Sequence, residues 1–468
     1  MALPKLDVTL NRWKGERVVV LGLARQGKAL ARYLTGEGAM VVMSDLKTSD
    51  QLQAVFTELA DLELDYELGG HPLELLQGTR ALFLSGAVPA DLPIALEARA
   101  RGIPLLNDAQ LFLERCPAAV IGITGSAGKT TTASLVYQMA CVGSESSDRQ
   151  AWLGGNIGRP LLDDLKNIKA QDLVVMELSS FQLELMTISP KIAGLLNLTP
   201  DHLDRHGSMQ AYIDAKAHIL SYQDEKSTAV IGSDDPRAWD LRERTRGRVI
   251  AFGLKKPWDG DAAFVDGEAL VLQLDGQLHL ICQIGELTLR GPHNVLNVLA
   301  ACAMGSAVEI PVEAMSAVAR SFRGVPHRLE FVRNTLGADW YNDSIATTPD
   351  RALAAVRSFD EPLVLLLGGH DKQLPWETFG QEVLQSVKAI ILFGEAVPKL
   401  EAVFQKIRGS AATPAMHAAV NLEQAVQTAS RIVQAGDIVL LSPGCTSYDE
   451  YPNFEVRGER FRDMVRAL

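Results

Sequence analysis

Residues 118–132 read AAVIGITGSAGKTTT: a short apolar run, a glycine-rich turn carrying a lysine, then threonines that open a helical pattern. A strand feeding a glycine-rich loop and then a helix is the context that a phosphate cradle needs. Glycines let backbone N–H groups close around phosphate oxygens, and the helix N-terminus adds positive potential. In that setting Lys129 reaches the β- and γ-phosphates and the Thr130 hydroxyl binds Mg2+. The segment Gly125, Ser126, Ala127, Gly128, Lys129, Thr130 and Thr131 is therefore expected to bind a nucleoside triphosphate. Ile123 stands where the first glycine of the longer G-x-x-x-x-G-K-S/T pattern would fall, so the match is to the shorter Gly-Ser-Ala-Gly-Lys-Thr form. A structural turn with a chance lysine is the bland alternative. Agreement between context and residue types favours the nucleotide.

Outward from this loop the chain reads as three α/β blocks. Upstream, RVVVLG (17–22) has buried-strand length and ends in glycine, a helical pattern follows over 26–37, and a second strand at 39–44 leads to Asp45. Further strand signals fall at 81–85 and 103–106, and alternating βα units imply a parallel sheet with helices on both faces. Downstream of the loop, strands are expected at 172–177, 192–198 and 227–231, an antiparallel flap between 261 and 290, and helices at 294–308 and 312–322. After the linker Gly324-Val325-Pro326, strands at 363–368, 389–393 and 437–442 and a last helix from Phe454 complete a third block. The expected domains are 1–114, 115–323 and 324–468.

Composition sets the limits. The 468 residues fit about three domains at roughly 150 residues each. Apolar residues at 47% and charged residues at 22% are the mix of an ordinary globular protein with an ample core. No run of about 18 apolar residues offers a transmembrane helix, and MALPKLDVTLNRWKGE lacks a secretory apolar core, so a cytoplasmic chain without membrane insertion is expected. A net charge of −12 argues against coating a nucleic acid. Cys116, Cys141, Cys282, Cys302 and Cys445 are odd in number and lack CxxC spacing, which suggests neither a disulfide framework nor a zinc site.

Other residues carry weaker signals. The turn Gly22-Leu23-Ala24-Arg25-Gln26-Gly27, with Asp45 after the next strand, resembles a dinucleotide fingerprint, although Ala24 replaces the glycine that admits a pyrophosphate. NAD, a UDP-sugar or no ligand at all fits such a turn. Glu177 ends a strand beside the phosphate loop, the usual place for a Mg2+ ligand. Asp201-His202-Leu203-Asp204-Arg205-His206 forms a dense polar loop after another strand. Lys216 falls on the apolar stripe of the helix 208–220, in 4-3-4 spacing with Met209, Ile213 and Leu220. A lysine there either snorkels to the edge or is desolvated with a lowered pKa, in which case its neutral amine can take up CO2 as a metal-binding carbamate.

Together the motifs TGSAGKTTT, GGNIG, MELSSFQLE, NLTPDHLDRHG, AYIDAKAHI, GPHNVLNVLAA, GVPHRLE, YNDSIATTP and LSPGCTSYDEYPNFEVRGERF resemble the Mur ligases along essentially the whole chain. The nearest branch is the one that joins D-glutamate to UDP-N-acetylmuramoyl-L-alanine. The resemblance implies a Rossmann-like UDP-binding domain, a P-loop-type central ATPase with a parallel sheet, and a Rossmann-like third domain for the amino acid. It also implies ATP and Mg2+, an acyl-phosphate intermediate, and a monomer. By motif, Lys129, His202 and Lys216 become catalytic, and Thr130, Glu177, His202 and carbamylated Lys216 become metal ligands. Asn294, Asn297, Arg328 and Asp343 join the ATP site, while Gly22, Leu23, Ala24, Arg25, Asp45 and Asn156 hold the UDP-substrate. Thr347, Lys372, Ser447 and Phe454 hold glutamate; a cation and a hydroxyl suit its side-chain carboxylate.

Three residues depart from the family pattern. Ala127 replaces an asparagine of the phosphate loop, Ala87 a glycine of the uracil-side turn, and Ile345 a lysine near the reacting phosphate. The last change opens the alternative of L-glutamate as the added amino acid. A folylpolyglutamate-synthase-like ligase, a nucleotide switch and a dinucleotide oxidoreductase complete the alternatives.

Overall fold

A computed structural model describes residues 12–86, 88–145, 147–289, 291–372, 374–408 and 414–468. The chain divides into two compact units, one up to Phe322 and one from Arg323.

The first unit holds two sheets. The N-terminal one comprises β1 (Arg17–Leu21), β2 (Met40–Asp45), β3 (Leu64–Leu68), β4 (Ala81–Leu84) and β5 (Leu105–Leu106) in the order β3-β2-β1-β4-β5, all parallel. Val18, Val20, Met43 and Phe83 pack into one core and Val19, Leu21, Val42 and Leu82 into another. Both faces are covered, which is why these strands read as continuous apolar runs. The order reverses between β1 and β4, and the crevice at their C-terminal ends is where open α/β sheets take ligands.

The larger sheet contains β6 (Ala119–Thr124), β7 (Ala151–Gly155), β8 (Leu173–Glu177), β9 (Ile192–Leu195), β10 (Thr228–Gly232), β11 (Arg248–Gly253), β12 (Ala262–Asp266), β13 (Ala269–Leu274) and β14 (Gln277–Gln283). Its order is β14-β13-β12-β11-β10-β9-β6-β8-β7. Over 261–290 the expected antiparallel pairing holds for β12–β13 and β13–β14, but β12 pairs parallel with β11, so the segment extends the central sheet and is not a separate flap. Helices Lys129–Gly143, Met209–Ser221 and Pro292–Ser306 complete the parts that matter for the site.

The second unit has one sheet of β15 (Glu330–Thr335), β16 (Ala338–Asn342), β17 (Leu363–Gly368), β18 (Ala389–Phe393), β19 (Ala415–Ala419) and β20 (Ile438–Gly444), ordered β15-β16-β20-β17-β18-β19. Only the β15–β16 pair is antiparallel. Among the described residues no helix is long and apolar enough to cross a membrane.

Candidate active site

The phosphate loop leaves β6 at the centre of the large sheet and enters helix Lys129–Gly143 through Gly128, whose φ of 84° and close approach to Asn297 exclude a side chain. Lys129 Nζ donates to the carbonyls of Gly125 (2.8 Å) and Ser126 (2.9 Å), so its charge lies over the loop. Asn197 clasps Ala127 on both sides, accepting its N–H at 2.8 Å and donating to its carbonyl at 3.1 Å. Ser126 Oγ meets Tyr212 Oη at 2.8 Å and donates to the Thr199 carbonyl at 2.8 Å. From helix Pro292–Ser306, Asn297 Oδ1 accepts from Thr132 (3.3 Å) and its amide donates to Asn294 Oδ1 (3.1 Å). Beside Asn294 opens an apolar cleft of about 560 Å3 lined by Leu254, Leu287, Leu289, Pro292 and Val295.

Glu177 ends β8 with its carboxylate buried next to the loop. Its Oε2 accepts from Thr130 Oγ1 (2.8 Å) and its Oε1 from Asn156 Nδ2 (2.9 Å). Asn156 also donates its backbone N–H to the Glu177 carbonyl at 2.8 Å. The GGNIG segment therefore aims Glu177, in addition to any role toward a substrate. Among the described residues no three His, Cys, Asp or Glu side chains gather at one point. Mg2+ commonly takes one or two carboxylates and completes its shell with phosphate oxygens and water, and Thr130 with Glu177 matches that donor set.

Lys216 is only 2% exposed. Its amine donates to Thr124 Oγ1 (3.1 Å) and the Gly125 carbonyl (3.0 Å), and lies 4.9 Å from the Tyr212 ring centre. All three partners are uncharged. Burial, reinforced by the nearby Lys129 charge, pulls its pKa down to about 7, while Asp201 and Glu177 act weakly the other way. The desolvated lysine, and not the snorkelling one, is the observed case. His202 is exposed, adopts left-handed backbone (φ 52°), pairs with Asp201 at 3.4 Å and stands 5.2 Å from the Phe181 ring. A non-glycine residue held there is uncommon and marks a site worth testing for function.

In the N-terminal crevice Gly22 (φ 90°) turns the chain out of β1 where a side chain would strike Ser85. Asp45 holds this turn: one oxygen accepts from the N–H of Leu23 (2.7 Å) and the other from that of Lys47 (2.9 Å). Ala24 caps helix Arg25–Gly36 without a side-chain bond, Arg25 is exposed, and Gln26 accepts from the Gly86 N–H at 2.7 Å. Ala87 lies outside the described residues.

In the second unit Asp343 is buried and accepts from Ser442 Oγ (2.8 Å) and the Leu329 N–H (3.1 Å). Burial pushes its carboxyl up to about 7 against the pull of Arg328 and Arg351. Arg328 itself is exposed, and Ile345 donates its N–H to the His327 carbonyl at 3.1 Å. Two loops are zipped together by paired His370 and Thr446 backbone bonds (2.9 and 3.0 Å), which brings exposed Lys372 and buried Ser447 to adjoining loops. Thr347 and Phe454 are half-buried, and the Phe454 carbonyl accepts from Ser344 Oγ at 2.8 Å. Beneath lies Arg457, which donates to Ser344 Oγ (3.0 Å), the Ser344 carbonyl (2.9 Å) and the Cys445 carbonyl (3.1 Å). Arg457, Asn197 and Tyr212 escaped the reading of the sequence. All three sit inside the quoted motifs, but nothing local distinguishes their contacts.

Residues 123–305 match the model of the Mur ligase middle domain, and residues 327–445 that of the Mur ligase, glutamate ligase domain. The UDP-N-acetylmuramoylalanine–D-glutamate ligase of Clostridium perfringens is 37% identical over 456 residues, covering 97% of each chain. The chain belongs to the Mur ligase family. The same ligase from Clostridium botulinum is 36% identical over 457 residues, again 97% of each chain. Among solved structures, MurF from Acinetobacter baumannii aligns with a TM-score of 0.56 at 16% identity, over 95% of this chain and 93% of that one. MurC from Thermotoga maritima gives 0.53 at 18%, over 96% and 99%. These two likenesses establish the three-domain Mur ligase fold, α/β with parallel-rich sheets, for this Mur ligase.

Proposed function

We propose that this Mur ligase uses ATP to join D-glutamate to UDP-N-acetylmuramoyl-L-alanine in peptidoglycan precursor synthesis, acting as a monomer in the cytoplasm. The near-full-length likeness to ligases of that name supports the substrate pair. The observation that carries the chemistry is the buried Glu177 carboxylate directly beside the phosphate loop, held by Thr130 and Asn156.

In this reading the loop amides and Lys129 hold the triphosphate, and the apolar cleft beside Asn294 takes the purine. Thr130 and Glu177 would hold Mg2+, joined by His202 and a Lys216 carbamate, and the metal would supply charge neutralisation for phosphoryl transfer. A carboxylate oxygen of the acceptor attacks the γ-phosphorus as the bond to ADP breaks. The glutamate amine then attacks the acyl carbon, phosphate leaves with the electron pair, and the amine proton is lost. The chain's own part is to orient the reactants and to stabilise developing charge. Lys216 suits carbamylation: its ammonium first gives up one proton, which removes a poorly solvated cation, and the neutral amine then adds to CO2 and loses a second proton to give an N-linked carboxylate. Gly22, Leu23, Ala24, Arg25 and Asp45 form the UDP side. Lys372, Ser447, Thr347 and Phe454 form the glutamate side, with Arg328 and Asp343 serving ATP.

Ile345 favours one second reading, L-glutamate in place of D-glutamate on the same acceptor. Phosphate release measured with both glutamates side by side decides between them. We expect release only with UDP-N-acetylmuramoyl-L-alanine and D-glutamate together. Equal ATP consumption with and without the acceptor overturns the reaction, and turnover with L-glutamate alone moves it to the variant.

A further inference from the structure

The junction between the two sheets of the first unit is polar and closed to water. Asn107, Asp108 and Gln110, from the first turn of helix Asp108–Arg115, and Gln182 are each no more than 4% exposed. Most of their groups are paired. Asn107 donates to the Gln182 carbonyl (2.8 Å), and Gln110 accepts from the Thr187 N–H (2.8 Å) and donates to Thr187 Oγ1 (3.1 Å). Gln182 Oε1 is occupied by the N–H and hydroxyl of Ser179, both at 3.1 Å. Two atoms remain: Asp108 Oδ1 and Gln182 Nε2 are buried without a hydrogen bond. One is an acceptor and the other a donor, and the Gln182 amide is near enough to the Asp108 carboxyl to favour its ionised form. A buried donor and acceptor left unpaired are both unfavourable, and a small shift of either element that joins them relieves both.

The elements on the two sides are the ones that matter. Arg25, at the start of the crevice helix, also favours the ionised Asp108, less than Gln182 and the neighbouring backbone N–H groups do. Gln182 completes the capping box of helix Ser180–Leu185, whose N-cap is Ser179 and which follows Glu177 by way of Leu178 and Ser179. We propose that Asp108 is a positioning residue that grips the Gln182 amide when the first-sheet crevice is filled, and so carries sugar-nucleotide occupancy to the strand end bearing Glu177. The proposal rests on the reading in which that crevice takes UDP and Glu177 serves phosphoryl transfer. Burial lifts the Asp108 carboxyl to about 6, opposed by Gln182, the neighbouring backbone N–H groups and Arg25. Only the ionised form grips a donor strongly, so the grip is present above that pH and fades below it. His206 against Ser180 (2.9 Å) and His218 against the Leu183 carbonyl (2.9 Å) are the imidazoles beside this helix and remain in every variant below.

Amide exchange with UDP as the probe tests this on the full chain. We expect UDP to slow exchange over 177–185 as well as around 22–26 in the wild type. Asp108→Asn should retain UDP binding and the protection at 22–26 but lose that at 177–185. In turnover, the wild-type KM for the sugar nucleotide should rise about fivefold as pH falls through 6, whereas Asp108→Asn is flat. Gln182→Glu keeps the Ser179 cap, faces Asp108 with a second carboxyl, and should move that transition to higher pH because the two must share a proton. Absence of UDP binding to the wild type removes the crevice reading itself. UDP binding with no protection at 177–185, or a wild-type pH profile in Asp108→Asn or in folded Gln182→Glu, overturns the grip alone.

Discussion

Two buried cations lie beneath the two halves of the proposed chemistry, and they are held in opposite ways. Lys216 sits under the phosphate loop with a hydroxyl, a carbonyl and an aromatic face around its amine. Arg457 sits under the proposed glutamate loops with three hydrogen bonds to Ser344 and Cys445, and its Nη1 makes none. Burial lowers both, Lys216 to about 7 and Arg457 to about 10. At neutral pH the arginine therefore stays charged and works as a fixed fork. The lysine is poised to lose its proton and become a nucleophile toward CO2. Burial of comparable depth builds a scaffold in one case and a reactive amine in the other, because an ammonium yields its proton where a guanidinium does not.

The largest expected effect separates these roles. Lys216→Ala should lower phosphate release by roughly 10²–10³-fold, with partial recovery in bicarbonate as a small anionic mimic. Lys216→Arg retains the charge but cannot form the carbamate, so it should be as inactive as the alanine variant. Full turnover in Lys216→Arg would reduce Lys216 to a mere cation and erase the contrast.

For Arg457 the expected loss is structural and local. Arg457→Met should cost about 3 kcal/mol of stability in chemical denaturation, since its three acceptors are left buried. At temperatures where that variant remains folded, KM for glutamate should rise about tenfold while ATP affinity holds. No small anion should restore it. A normal glutamate KM would detach Arg457 from that pocket.

The pH dependence of stability sharpens the comparison further. Between the folded Lys216 pKa of about 7 and its ordinary 10.5, the unfolded chain binds the extra proton, so raising the pH favours the folded state. In CO2-free buffer the wild type should gain about 1 kcal/mol per pH unit from 7 to 9 relative to Lys216→Met. Parallel slopes for the two proteins would mean the amine is not desolvated in solution.

The smallest effect concerns the carboxylate across from Lys216. Asn156→Ala frees one Glu177 oxygen and should raise the Mg2+ concentration for half-maximal turnover about tenfold, with little change in kcat at saturation. An unchanged Mg2+ requirement would return Asn156 to substrate contact alone.

Much of this was legible in the chain itself, for local reasons. The strands Leu363–Gly368 and Ala389–Phe393 follow the apolar runs to the residue, since a parallel strand buried on both faces must be apolar throughout. Leu64–Leu68 and Ala415–Ala419 escaped because edge strands are half-exposed and carry polar residues. Asn156 was legible as part of GGNIG, but its bond to Glu177 follows from β7 and β8 lying in register, with Gly155 opposite Glu177.

The order of residues alone determined the alternation of strands and helices, the glycine loop with its lysine, and the place of Lys216 on an apolar stripe. These depend on backbone stereochemistry and periodicity within a few turns. Only the tertiary structure decided that Thr130 meets a carboxylate 47 residues away, that Lys216 meets no anion among its bonded partners, and that Arg457 reaches Ser344 across 113 residues. Charge, desolvation and hydrogen bonding act through space, so the state of a buried amine is set by the neighbours that folding brings to it.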